Sequence, residues 1–202
     1  VLASGMCRTK ELILFIDIGT NGEIVLGNCE WFITTACSAG PCFEGGGVKF
    51  GMRAMNGAIE QVTIDRETYE ASYKVIGNVK PTGICGSGMI DAIAEMFLSG
   101  VIDLRGKIQL DIGSKRVRSG ENGPEYVLVW KEDAGLEQDI ALTEPDIDNI
   151  IRAKGAIYAG LAILLKEVGY TFNDVSKILI AGGFGNYIDV ERAITIGLLP
   201  DQ

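Results

Sequence analysis

At 202 residues, 47% hydrophobic and 22% charged, the chain has an ordinary globular composition, with room for one good-sized domain or two small ones. A net charge of −9 and a sequence pI near 4.6 set it against nucleic-acid phosphates and anionic lipid, so neither is expected as a partner. There is no histidine, which excludes His-based zinc sites, catalytic triads and imidazole shuttles, and five cysteines, an odd number, point to a reducing cytoplasm rather than a disulfide framework.

The 27 glycines predict many tight turns and loops able to cradle a phosphate. Val1-Leu2-Ala3-Ser4-Gly5 carries neither an initiator Met nor a signal peptide, the expectation for a piece of a longer protein. Leu12–Ile18 is an apolar run ending in Asp17-Ile18-Gly19 and reads as a buried strand leading into a turn. Glu23–Leu26 and Glu30–Thr35 flank Gly27-Asn28, which predicts a hairpin with a two-residue loop. Cys37 and Cys42 have a spacing found in plant-type ferredoxins, but the close third cysteine is missing, and buried thiols are the better reading. Glu44–Gly51 is a glycine-rich loop, and alternating strands are expected from Ala58 to Val79.

Gly83–Gly88 opens a helix with Met89, Ile90, Ile93, Met96 and Phe97 at helical spacing, closed by Gly100. The stretch 103–142 turns polar, with a strand at Tyr126–Trp130 and a turn at Gly120–Gly123, and reads as a small β-rich insertion. Thr143 and Asp146 predict a helix cap. The helix that follows runs to about Val168, with Ile147, Ile150, Ile151, Ile157, Leu161, Leu164 and Leu165 on one face. Its uncharged run, Gly155 to Leu165, falls well short of the ~20 residues a membrane span needs. Lys177–Ala181 is a second buried strand, ending in Gly182-Gly183-Phe184-Gly185, and Ile188–Ile196 a final short helix. Strand–loop–helix alternation at both ends implies an α/β fold.

Two places can carry chemistry. Asp17-Ile18-Gly19-Thr20-Asn21-Gly22 closes a buried strand. Its small residues can turn backbone N–H groups on an anion, and Asp17 can hold Mg²⁺ or orient a water. Gly182, Gly183, Phe184 and Gly185 close the second strand, where paired glycines let backbone pass close to a ring or phosphate. Either could be no more than a glycine turn. Between them, Arg152-Ala153-Lys154 lies on the long helix, and Lys154 either snorkels from the apolar stripe or reaches a ligand at its edge.

Taken together, an Asp–Gly loop, a lysine-bearing helix and a strand ending in Gly-Gly resemble the second lobe of the actin, heat-shock-chaperone and sugar-kinase ATPases. The resemblance implies a ribonuclease-H-like mixed sheet with flanking helices. It makes Asp17–Gly22 the second phosphate loop and Gly182–Gly185 the adenosine loop, with Arg152 and Lys154 flanking the adenosine. Asp17–Glu23, Ala36–Pro41, Phe43–Gly47, Gly83–Gly88 and Ala181–Gly185 are further similar to the carboxy-terminal domain of reductive activators of corrinoid proteins, over nearly the whole chain. Cys42 departs from that pattern, which has a small apolar residue such as Ala there.

What the family resemblance implies is ATP- and Mg²⁺-dependent return of a Co(II) corrinoid protein to Co(I), with a [2Fe–2S] cluster in a separate amino-terminal domain. The first phosphate loop and its lobe would lie before Val1. Without that lobe an apolar face would be left open, for which a homodimer is one cover. The alternatives are a small-molecule kinase of the same superfamily, for which no general base is identifiable, and a non-catalytic docking or dimerisation lobe.

Overall fold

The computed structural model describes residues 1–182 and 187–201. The chain begins with β1 (Ile13–Ile18), β2 (Gly22–Gly27) and β3 (Phe32–Cys37), an antiparallel meander. β10 (Lys177–Ala181) returns from the far end of the chain to lie parallel to β1, giving one mixed sheet in the order β10-β1-β2-β3. Period-two alternation gives β1 two buried faces. Leu14, Ile16 and Ile18 enter the main core with Ile24 and Leu26. Ile13 packs on the other side with Val25, Met6, Phe15 and Leu179.

The expected two-residue loop Gly27-Asn28 is not what forms. Gly27 pairs with Phe32, and Asn28 N–H donates to the Trp31 carbonyl, so the turn has four residues, Asn28–Trp31. Glu30 and Trp31 therefore belong to the turn, and β3 extends to Cys37. A Cβ at Gly27 would run into the Trp31 carbonyl, so glycine is needed there for close approach rather than for a tight two-residue turn.

A second sheet, β5-β4-β6, is built from β4 (Ala58–Ile64), β5 (Ala71–Val75) and β6 (Gly83–Ile84), with α1 (Gly86–Leu98) across it. Gly88 lets α1 approach β4, because a Cβ there would strike the Ile59 carbonyl. Gly100 takes φ +78 just after the helix, in the left-handed region that suits glycine. Met89, Ile90, Ile93 and Met96 are buried as their spacing predicts, and Phe97 is half-buried.

The third sheet, β7-β8-β9, comprises β7 (Val117–Gly120), β8 (Gly123–Val129) and β9 (Ile140–Thr143). Its strand around Tyr126 begins three residues earlier than the pattern suggested and stops before Trp130. Buried Arg116 holds it to the rest of the fold, donating to Glu70 and to the carbonyls of Val127 and Leu128. The Tyr126 hydroxyl adds a bond to the Tyr69 carbonyl at 2.8 Å.

β9 feeds directly into α2 (Glu144–Glu167), whose capping box forms as expected: Thr143 Oγ1 accepts from Asp146 N–H, and Asp146 accepts from Thr143 N–H. The apolar stripe of α2 packs on β2 and β3, with Ile147, Ile150, Ile157, Leu161, Leu164 and Leu165 buried and Ile151 half-buried. α3 (Val190–Thr195), shorter than the expected Ile188–Ile196, is capped by Asp189 and packs on α1. No helix among the described residues is long and apolar enough to cross a membrane.

Candidate functional site

Parallel pairing of β1 with β10 in the register Asp17↔Ala181 brings the ends of both strands to one edge of the sheet. In parallel sheets the crevice beyond the carboxyl ends of the strands is where ligands bind. Asp17 is half-buried there, and its carboxylate makes no hydrogen bond or ion pair among the described residues. Its carboxylate lies against the Cα of Gly182, where a Cβ would stand 2.7 Å from Oδ1. Gly182 has φ +92, a conformation that side chains with a Cβ rarely adopt. The two loops singled out in the sequence thus meet at Asp17 and Gly182. Gly183, Phe184 and Gly185 lie outside the described residues.

The turn after β1 closes on itself through Gly19 N–H donating to the Asn21 carbonyl, and Gly40 N–H donates to the Thr20 carbonyl. Thr20 and Asn21 are exposed. Gly22 is not: it is buried under Cys37 and Ile157 of α2, and a Cβ would come within 2.7 Å of the Cys37 Sγ. Its glycine serves packing. Thr20 donates both its N–H and its hydroxyl to one oxygen, Oε1 of Glu44, at 2.8 Å each. Twenty-four residues separate the two, and Glu44 carried no role of its own in the sequence. Its only signal was its place at the head of the glycine run.

That run is a spacer held by close backbone packing. Gly45 and Gly51 abut so tightly that a Cβ on either would collide with main-chain atoms. Asp146 Oδ1 accepts from Lys49 N–H at 2.8 Å, and Asn149 donates to the Gly47 carbonyl at 2.8 Å, so the start of α2 anchors the loop that delivers Glu44.

Lys154 lies elsewhere. It is half-buried, with Nζ 3.2 Å from where a Cβ on Gly197 would stand. There it lines a cavity of about 300 Å³ walled by Ile93, Phe97, Ile102, Ile150 and Ile194, to which none of Asp17, Gly19–Gly22 or Gly182 contributes. Arg152 is exposed on α2. A second cleft, of about 490 Å³, opens beside Glu44 and is lined also by Phe43, Arg53, Glu60, Cys85, Ser87 and Tyr187, the first described residue after the Gly182 loop.

Cys42 and Cys85 are buried, Cys7 and Cys37 half-buried, and Cys29 exposed. Burial pushes the Cys42 thiol up to about 11, and burial likewise raises Cys37, whose Sγ donates to the Gly22 carbonyl. All five cysteines are free, and the described residues contain no cluster of three or more His, Cys, Asp or Glu able to hold a metal.

Residues 11–202 match the family described as the C-terminal domain of RACo, the ASKHA domain. The chain is 42% identical over 203 residues to the corrinoid activation enzyme RamQ of Eubacterium limosum, covering 97% of this chain and 34% of that protein. It is 30% identical over 210 residues to a [Co(II) methylated amine-specific corrinoid protein] reductase of Methanosarcina barkeri, covering 94% of this chain and 35% of that protein. Among solved structures, a reductive activator for corrinoid, iron-sulfur protein superposes with a TM-score of 0.96 at 51% identity, over all of this chain and 32% of that one. The chain therefore spans about a third of the length of these relatives. A mixed β10-β1-β2-β3 sheet that gathers Asp17 and Gly182 at one edge, and a match over nearly every residue, together place this chain in the family of C-terminal ASKHA domains of RACo.

Proposed function

We propose that this chain is the nucleotide-binding lobe of an ATP-dependent activator that returns a corrinoid protein from Co(II) to Co(I). The observation that carries the reading is the meeting of Asp17 with Gly182 at the ends of two parallel strands. The names of its relatives supply the direction: two act on corrinoid proteins, and the third activates one reductively.

In this reading the exposed Thr20–Asn21 turn faces the phosphates, and Gly182, just past the end of β10, lies towards the adenosine. Asp17, half-buried and without a partner among the described residues, suits a divalent cation or a positioned water. A bound Mg²⁺ would neutralise charge on the phosphates. The chain's own residues position the nucleotide, and the carboxylate orients water beside it. The reduction is a one-electron step whose electron comes from an iron–sulfur centre outside this chain. ATP is not joined chemically to that step; its binding free energy biases the conformation in which the corrinoid accepts the electron.

The test is the full-length protein mixed with a Co(II) corrinoid protein and a low-potential reductant, followed by the Co(II) electron paramagnetic resonance signal. ATP should speed loss of the signal and should yield inorganic phosphate without any phosphorylated product. Loss of signal at the same rate without ATP would overturn the nucleotide role, and a phosphorylated small molecule would move the protein to the kinases.

A further inference from the structure

The candidate phosphate turn already holds an anion. Thr20 gives its backbone N–H and its hydroxyl to a single oxygen, Glu44 Oε1, and the Cα of Gly19 faces the same atom, with room for a Cβ at 3.5 Å. A backbone N–H and a hydroxyl converging on one oxygen are the donors a phosphate oxygen takes from such a turn. A carboxylate and a phosphate oxygen cannot share them. Both are acceptors, and both are negatively charged.

The surroundings allow the carboxylate to leave. Its side chain is 41% exposed, so departure strands no buried charge. Its second oxygen, Oε2, already faces the Arg53 guanidinium at 4.0 Å, and Arg53 is itself largely exposed. Both line the cleft of about 490 Å³, which gives Glu44 somewhere to go. Glu44 also closes a short helical turn, Pro41–Glu44, at the head of the glycine loop that Asp146 and Asn149 pin to α2. Moving Glu44 pulls on a segment tied to the long helix.

We infer that Glu44 is an internal stand-in for phosphate: it occupies the Thr20 donors in the nucleotide-free state and is displaced towards Arg53 when a nucleotide phosphate arrives. This rests on the nucleotide reading above and adds to it a competitor built into the chain. The turn is kept ordered by Glu44, nucleotide affinity is set below what the turn could reach, and phosphate occupancy is converted into movement of the loop beginning at Pro41.

The experiment is calorimetric titration of ATP into full-length wild-type, Glu44→Gln and Glu44→Ala proteins, with and without Mg²⁺, alongside the ¹⁵N–¹H shift of Thr20. Glu44→Gln keeps the shape and an acceptor oxygen but removes the charge. It should bind ATP about tenfold tighter, equivalent to about 1.4 kcal/mol, and Glu44→Ala at least as tightly. In wild type, ATP should move the Thr20 amide signal, and the signal in nucleotide-free Glu44→Ala should already be displaced. Unchanged affinity in both variants overturns the proposal and leaves Glu44 a turn brace. Weaker binding confined to Mg²⁺-containing buffer also overturns it, making Glu44 a cation ligand. No ATP binding by any of the three overturns the nucleotide reading itself, and the proposal with it.

Discussion

The Cα of Gly182 rests on the carboxylate of Asp17, and a Cβ added to residue 182 would stand 2.7 Å from Asp17 Oδ1 and 3.1 Å from the Ile18 carbonyl. Gly182→Ala must therefore displace the carboxylate and adopt φ near +92. Such strain costs about 1–3 kcal/mol, and the variant should lose that much in urea denaturation. Adding Asp17→Ala should return the steric part and leave the backbone part. A double mutant no more stable than Gly182→Ala would show that the two residues are not coupled.

Asp17→Ala alone should leave the fold in place, because the carboxylate has no hydrogen-bond or ionic partner among the described residues. In the full-length protein it should slow ATP hydrolysis by roughly 10²–10³, the usual effect of removing one transition-state contact. Steady-state phosphate release measures this. Turnover at the wild-type rate would reduce Asp17 to a turn residue.

Asp146 serves two purposes at once. It accepts from the Thr143 N–H and hydroxyl through Oδ2 and from Lys49 N–H through Oδ1, all while buried. Asp146→Ala should cost about 2–4 kcal/mol, the sum of a lost cap and a buried N–H left without a partner. Hydrogen exchange should rise in the glycine loop as well as in the first turn of α2. A loss confined to the helix would mean that the loop is held without Asp146.

Stability should also depend on pH through Asp91. Burial pushes its carboxyl up to about 6 from an ordinary 3.8, against the opposing effects of Val62 N–H and Arg192, while Asp189 and Glu95 add to the rise. The folded state therefore holds this proton more tightly than the unfolded chain. The resulting stabilisation is complete below about pH 4 and is lost as pH rises to about 6, amounting to roughly 2–3 kcal/mol. Asp91→Asn should remove that slope and become more stable relative to wild type across the same window. Denaturant midpoints at pH 4, 5, 6 and 7 test the sign; a difference that stays constant with pH would contradict it.

Local chemistry was enough for much of this molecule. The apolar run ending at Asp17, the Thr143–Asp146 cap, the stripe of α2 and the strand Lys177–Ala181 are all written in residues within a few positions of one another, and each forms, although Lys177–Ala181 lies at the sheet edge, half-buried with Lys177 exposed, and not buried as its apolar run suggests. Short-range spacing dictates period and caps because those depend on neighbours along the chain. The hairpin at Gly27 shows the limit. Gly-Asn carries a two-residue turn signal, yet register with β1 and β3 moved the turn to Asn28–Trp31, since cross-strand pairing outweighs a local preference.

The site itself was decided by tertiary structure. That Asp17 and Gly182 share one edge follows from the parallel return of β10 after 158 intervening positions, from Gly19 to Ser176, and no local pattern encodes that pairing. That Gly22 packs while Thr20 remains exposed depends on where α2 crosses β2. Glu44 became the partner of Thr20 only because the glycine loop folds back and is anchored by Asp146 and Asn149. Sequence determined which short elements form and which residue types can meet a phosphate. Long-range packing determined which of them stand together, because a contact across twenty or more residues has its entropy cost met only by the whole core.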